Sequence, residues 1–167
     1  MAVGIYAGSF DPPTNGHMWI IKAGAEIFDK LVVAVGTNPA KKYTFSAEER
    51  IGMLKEIVAQ QKNTSVVTLE KQFLAKFAKS IGAKYILRGL RNGKDYEYEC
   101  AASNINSDLN PDVATVCLVT PRELAEVSSS MVKSLVGYDG WEEVVKKYVP
   151  EAVRKKLLEK FKVNQRK

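Results

Sequence analysis

The chain has 167 residues, of which 46% are hydrophobic and 26% charged, a balance that excludes disordered and fibrous classes and suits one domain with its own core. No apolar run reaches the roughly 18 residues that a membrane-spanning helix needs, and the opening residues lack a basic segment ahead of an apolar stretch, so neither membrane nor secretion is expected. The formal net charge of +6 is concentrated at the C-terminus: seven basic residues and one acid lie between Arg154 and Lys167, which leaves residues 1–153 neutral and argues for a solvated basic helix end over a nucleic-acid surface.

Val3-Gly4-Ile5-Tyr6-Ala7 reads as a strand, followed by a loop rich in Gly, Pro and Asn. A helical pattern runs over residues 16–28, with Trp19, Ile20, Ala23 and Ile27 at helical spacing. The apolar run 31–35 predicts a strand covered on both faces. Ser46 and Glu49 form a capping-box pattern that opens a helix over residues 47–61. A third strand is expected over 66–69, a helix over 73–81 stopped by Gly82, and a fourth strand over 85–87. A helix over 95–109 and a fifth strand over 113–119 follow. Helices over 129–136, 141–147 and 151–161 close the chain, with Pro150 just ahead of the last. Cys100 and Cys117 fall in elements expected to be buried and have no CxxC spacing, which argues against a disulfide framework or a zinc site and fits a reducing cytoplasm.

Alternating strands and helices with short connections imply right-handed crossovers and a parallel sheet with helices on both faces. The expected fold is a single doubly wound α/β domain of Rossmann-like type over residues 1–167, with C-terminal helices. Ligands in such folds bind beyond the carboxyl ends of the strands. Four segments are expected there. Gly8-Ser9-Phe10-Asp11-Pro12-Pro13-Thr14-Asn15-Gly16-His17 offers hydroxyls, a helix N-terminus suited to phosphate and the chain's only histidine. Thr37-Asn38-Pro39-Ala40-Lys41-Lys42 supplies paired lysines. Arg88-Gly89-Leu90-Arg91, expected just after the fourth strand, suits a bidentate grip on phosphate, or else a turn salt-bridged to the acids at 95–99. Val127-Ser128-Ser129-Ser130 reads as a helix N-terminus, whose hydroxyls either hold phosphate or simply cap. Neither the Walker pattern nor GxGxxG is present. Together the segments predict an electropositive, donor-rich site for phosphate-bearing substrates.

Thr14-Asn15-Gly16-His17 within GSFDPPTNGH, together with Arg88-Gly89-Leu90-Arg91, Asp95-Tyr96-Glu97-Tyr98-Glu99 and Ser128-Ser129-Ser130 before Val132-Lys133, closely resembles bacterial phosphopantetheine adenylyltransferases of the nucleotidyltransferase superfamily. The likeness runs nearly end to end, through Phe45-Ser46-Ala47-Glu48-Glu49-Arg50 to Tyr148-Val149-Pro150. It implies reversible adenylyl transfer from ATP to 4′-phosphopantetheine, giving dephospho-coenzyme A and pyrophosphate, in coenzyme A synthesis. It also implies that Ser9, Lys41, Leu74 and Arg88 touch phosphopantetheine. Ser9, Phe10, His17, Gly89, Leu90, Arg91 and Glu99 would line the ATP site, completed by Leu124, Ala125, Glu126, Val127, Ser128, Ser129 and Ser130. His17 would stabilise the transition state. The resemblance further implies magnesium brought by ATP with no metal held by protein side chains, a homohexamer, and feedback inhibition by coenzyme A in the same pocket.

The residues suit that chemistry. A phosphate monoester is already largely dianionic at neutral pH, so no general base is needed, and Glu99 reads as a contact rather than a base. In-line positioning and charge stabilisation carry the rate. Departures from the family pattern are Ala7 in place of Pro, Ser9 in place of Thr, Leu124-Ala125-Glu126 where aromatics are usual, and an altered turn at Tyr138-Asp139-Gly140-Trp141. Two alternatives are a sister nucleotidyltransferase acting on nicotinate mononucleotide or glycerol phosphate, and a non-enzymatic nucleotide- or nucleic-acid-binding module that uses the basic tail.

Overall fold

The computed structural model describes residues 1–38 and 40–162, so Pro39 and the last five residues of the basic tail lie outside the described residues. Its centre is a five-stranded parallel sheet in the order β3-β2-β1-β4-β5. The strands are β1 (Val3–Gly8), β2 (Lys30–Gly36), β3 (Thr64–Leu69), β4 (Tyr85–Leu90) and β5 (Ala114–Val119). The helices are α1 (Asn15–Ile27), α2 (Ala47–Ile57), α3 (Leu74–Ser80), α4 (Gly93–Leu109), α5 (Ser129–Leu135), α6 (Trp141–Val145) and α7 (Glu151–Lys162). Every expected strand and helix is present.

β1 and β2 are apolar at successive positions because both sheet faces are covered. On one face Ile20, Ile21, Phe28, Leu54 and Val58 of the α1 and α2 segments pack on Tyr6, Leu31, Val33 and Leu87. On the other, Ala75 and Ala78 of α3 pack on Val3, Ile5, Val32 and Ile86. Close approach of α1 to β4 demands glycine: a Cβ on Gly89 would meet Ile20 Cδ1 at 2.8 Å, and one on Gly24 would meet Leu87 Cδ2 at 2.5 Å. A third apolar cluster joins Phe45 and Met53 to Val132, Trp141, Val145, Val153 and Leu157, which seats α5, α6 and α7 beside α2.

Ser46 accepts from the Glu49 N–H and Glu49 accepts from the Ser46 N–H, so the expected capping box opens α2. That helix stops at Ile57, not at residue 61, because the chain turns through Val58–Gln61 to enter β3. Two other expectations need correction. β4 continues three residues beyond the apolar core 85–87, so Arg88, Gly89 and Leu90 are strand residues, paired in register with Cys117, Leu118 and Val119 of β5. Cys100 and Cys117 are exposed, not buried, since α4 and the edge strand β5 leave their outer sides uncovered. Within the described part of the basic tail, Arg154 lies 3.3 Å from Glu151, Lys156 2.7 Å from Glu159 and Lys160 3.2 Å from Glu49 of α2. Among the described residues no helix is long and apolar enough to cross a membrane.

Candidate active site

The chain reverses winding direction between β1 and β4, the point where a doubly wound sheet opens a crevice. Side chains alternate along β1, so Tyr6 faces the α1 side and Ala7 the α3 side. Two cavities lie at the strand ends accordingly. One, of about 660 Å³, is bordered by Ala7, Gly8, Thr37, Leu69 and Phe73, and it gathers Ser9, Lys41, Leu74 and Arg88. The second, about 290 Å³, brings His17, Gly89, Arg91 and Glu99 together with Val127, Ser128 and Ser129. Tyr6, Thr14, Gly16 and Asp95 complete its wall. Phe10, Leu90, Leu124, Ala125, Glu126 and Ser130 line neither cavity. Phe10 is buried at φ +50°, with its ring edge-on to His17 at 5.1 Å, so its side chain supports the histidine from below.

Thr14 caps α1, and His17 occupies the place a capping box usually gives to Glu or Gln. The Thr14 N–H donates to His17 Nδ1 at 3.0 Å, and Thr14 Oγ1 lies 2.9 Å from the same nitrogen. An Nδ1 that accepts a backbone hydrogen bond cannot carry the proton of a neutral imidazole, so that proton sits on Nε2. Burial, and secondarily the Arg91 charge, lower the His17 pKa to about 4. At neutral pH the ring is therefore an uncharged donor with a fixed tautomer.

Both arginines are paired with acids, as the turn reading expected, while still facing the cavities. Arg88 Nε donates to Glu99 at 2.6 Å and its Nη1 donates to the Ala7 carbonyl at 2.9 Å. Since Arg88 borders one cavity and Glu99 the other, this pair spans the boundary between them. Arg91 grips Asp95 with two hydrogen bonds of 2.9 and 3.0 Å, and its backbone N–H donates to the same carboxylate. The Arg91 guanidinium holds the Asp95 carboxyl below the usual carboxylate range. The Asp95 hydrogen bonds, and more weakly the charge of Glu126, push the Arg91 pKa up. The serines are partly committed: Ser128 Oγ caps α5 by accepting from the Met131 N–H, and Ser129 Oγ donates to the Pro12 carbonyl.

Residues 5–135 match the family model described as cytidylyltransferase-like. A phosphopantetheine adenylyltransferase of Chromobacterium violaceum is 52% identical over 157 residues, covering 94% of this chain and 96% of that protein. The chain belongs to the phosphopantetheine adenylyltransferase family. A family member of Neisseria meningitidis is 49% identical, covering 92% of this chain and 91% of that one. Another, from Caldanaerobacter subterraneus, is 44% identical, with 97% and 99% covered. A solved Plasmodium falciparum nicotinic acid mononucleotide adenylyltransferase superposes with a TM-score of 0.70 at 14% identity, covering 98% of this chain and 97% of that one, which shows a shared fold.

The expected roles of a phosphopantetheine adenylyltransferase leave several residues of the site unmentioned. Asp11 is almost fully buried and accepts from the Thr44 and Phe45 N–H groups, both at 2.9 Å, while Lys133 Nζ reaches it at 3.1 Å. Arg50, also buried, donates to the carbonyls of Ser9, Gly36 and Ser46 and stacks on the Tyr43 ring. These two charges tie the loop after β1 to the segment carrying Lys41. Their signal in the sequence was slight: an acid and a base inside motifs whose other members face a ligand.

Proposed function

We propose that the chain transfers the adenylyl group of ATP to 4′-phosphopantetheine, releasing pyrophosphate and giving dephospho-coenzyme A, within coenzyme A synthesis. The observation that carries this reading is the uncharged, tautomer-locked His17 in a cavity that also holds the N-terminus of α1 and Arg91, next to a second cavity with a basic mouth and an apolar wall. The nucleotide would occupy the His17 cavity. The acceptor would enter the other, its phosphate toward Ser9, Lys41 and Arg88 and its uncharged arm along Leu69, Phe73 and Leu74.

The acceptor phosphate attacks the α-phosphorus, one P–O bond forms, and the bond to pyrophosphate breaks. The nucleophile is already anionic, so the protein need not remove a proton. Its task is to bring two anions together and to stabilise charge as it shifts. Arg88 neutralises the acceptor phosphate, and the Nε2–H of His17 donates to the α-phosphate oxygens as their charge rises. Among the described residues no three His, Cys, Asp or Glu side chains cluster as a metal cage. Magnesium arriving with ATP would supply positive charge to offset that on the leaving pyrophosphate.

The same reading takes the working form as a cytoplasmic homohexamer, inhibited by coenzyme A in the acceptor cavity. The exposed face of α4, with Tyr96, Tyr98 and Ile105, and the exposed edge residue Val119 supply apolar surface for assembly. The deciding experiment measures pyrophosphate release with magnesium-ATP and phosphopantetheine, nicotinate mononucleotide or no acceptor in parallel. Release with phosphopantetheine alone is expected. Release with nicotinate mononucleotide instead would keep the chemistry and overturn the acceptor.

A further inference from the structure

One polar group in the wall of the His17 cavity has no hydrogen-bond partner among the described residues. Tyr6 is 8% exposed, and its ring lies edge-on to Phe10 at 5.4 Å and tilted against His17 at 6.5 Å. Its hydroxyl makes no hydrogen bond to any described residue. The oxygen is not sealed in, however, because Tyr6 lines the cavity that holds His17, Arg91 and Glu99. A buried tyrosine hydroxyl normally finds a partner, since leaving it unpaired is costly. Among the described residues nothing pairs with this hydroxyl, and Tyr6 lines the His17 cavity, so a molecule bound there is the partner it suits.

Chemistry narrows what that molecule offers. Burial pushes the Tyr6 pKa well above its ordinary value, outweighing the nearby Arg88 and Arg91 charges that favour the phenolate. The group therefore stays a neutral O–H through the physiological range and suits an acceptor oxygen. Tyr6 faces the α1 side of β1, whereas its neighbour Ala7 borders the cavity assigned to the acceptor substrate. We propose that the Tyr6 hydroxyl is a nucleotide-contacting group, donating a hydrogen bond to an oxygen of ATP seated beside His17. This rests on the adenylyl-transfer reading only for the identity of the nucleotide. The contact adds no charge to a cavity that already holds Arg91, and it aligns the nucleotide relative to His17, whose ring leans on the same tyrosine.

Tyr6→Phe tests the proposal because it removes the hydroxyl and keeps the ring that packs on Phe10 and His17. Calorimetric titration with ATP in the absence of acceptor is expected to show about a tenfold loss of affinity. Steady-state KM for phosphopantetheine should hold within about twofold. The melting temperature should be unchanged or higher, because no hydrogen bond within the protein is lost. ATP affinity within about twofold of wild type, or a loss confined to the acceptor, would overturn the proposal. If wild-type protein binds ATP yet transfers nothing to phosphopantetheine, the functional reading fails while the titration still decides the role of Tyr6.

Discussion

At the scale of single residues, the informative contact is that between Thr14 and His17. Nδ1 is occupied by the Thr14 N–H, so only Nε2–H is available to a substrate. If that donor acts on charge that develops in the transition state, His17→Ala lowers kcat by roughly 100-fold or more and changes ATP affinity much less; a comparison of kcat with the ATP dissociation constant decides it. The lowered pKa carries a second prediction. The folded-state value of about 4 lies below the unfolded value near 6.5, so the unfolded chain binds the proton first as pH falls. Stability contributed by the neutral ring is complete above about pH 6.5 and is lost progressively toward pH 4. Denaturant unfolding of wild type and His17→Gln should therefore diverge in slope within that window. For the same reason kcat/KM for ATP should show no inflection near pH 6.5 from this group. Arg88 and Arg91 divide differently: Arg91→Ala should raise KM for ATP more than KM for phosphopantetheine, and Arg88→Ala the reverse. Equal effects on both substrates would contradict the placement of the two arginines in separate cavities.

At the scale of elements, two buried charges hold the active-site loops in register. Asp11 receives two backbone N–H groups from the entry to α2 and the Lys133 ammonium from α5, so one carboxylate fixes three segments. Asp11→Ala strands those N–H groups, each at a cost of about 1–3 kcal/mol, and frees the segment that carries Lys41. A lower melting temperature together with a raised KM for phosphopantetheine is expected. Ser46→Ala, which removes only the α2 cap, should cost about 1 kcal/mol with little kinetic change. The elements themselves were legible because their signals are local. The apolar run of β2, the Ser46 and Glu49 pair and the stop at Gly82 each act within a few residues. The end of β4 was not legible, because Arg88 and Gly89 carry no strand propensity of their own; pairing with β5 holds them extended. The exposure of Cys117 has the same origin, as an apolar segment at a sheet edge reads like one at the centre.

For the whole molecule, the parallel sheet lets motifs far apart in the chain converge. Ser9, Lys41, Leu74 and Arg88 come from four different strand ends and meet in one cavity. What the sequence did not disclose is the partition between faces: side-chain alternation along β1 sends Tyr6 to one cavity and Ala7 to the other, with the Arg88–Glu99 pair between. The molecule also leaves α4 without a single buried residue and exposes Tyr98 at 69% and Val119 at 75%, apolar side chains that an assembly would cover. Wild-type protein is expected to scatter light as a hexamer. Tyr98→Glu should shift it to a smaller species with its circular dichroism intact; an unchanged mass would place the assembly surface elsewhere.

The single histidine has a practical consequence. In a nitrogen-15-labelled sample the imidazole region of a long-range proton–nitrogen spectrum holds one spin system. Its two nitrogen shifts report directly which nitrogen is protonated, with no assignment step. Titrating nucleotide would then follow the His17 cavity through that lone signal, which gives the protein a built-in, label-sparing reporter of what enters it.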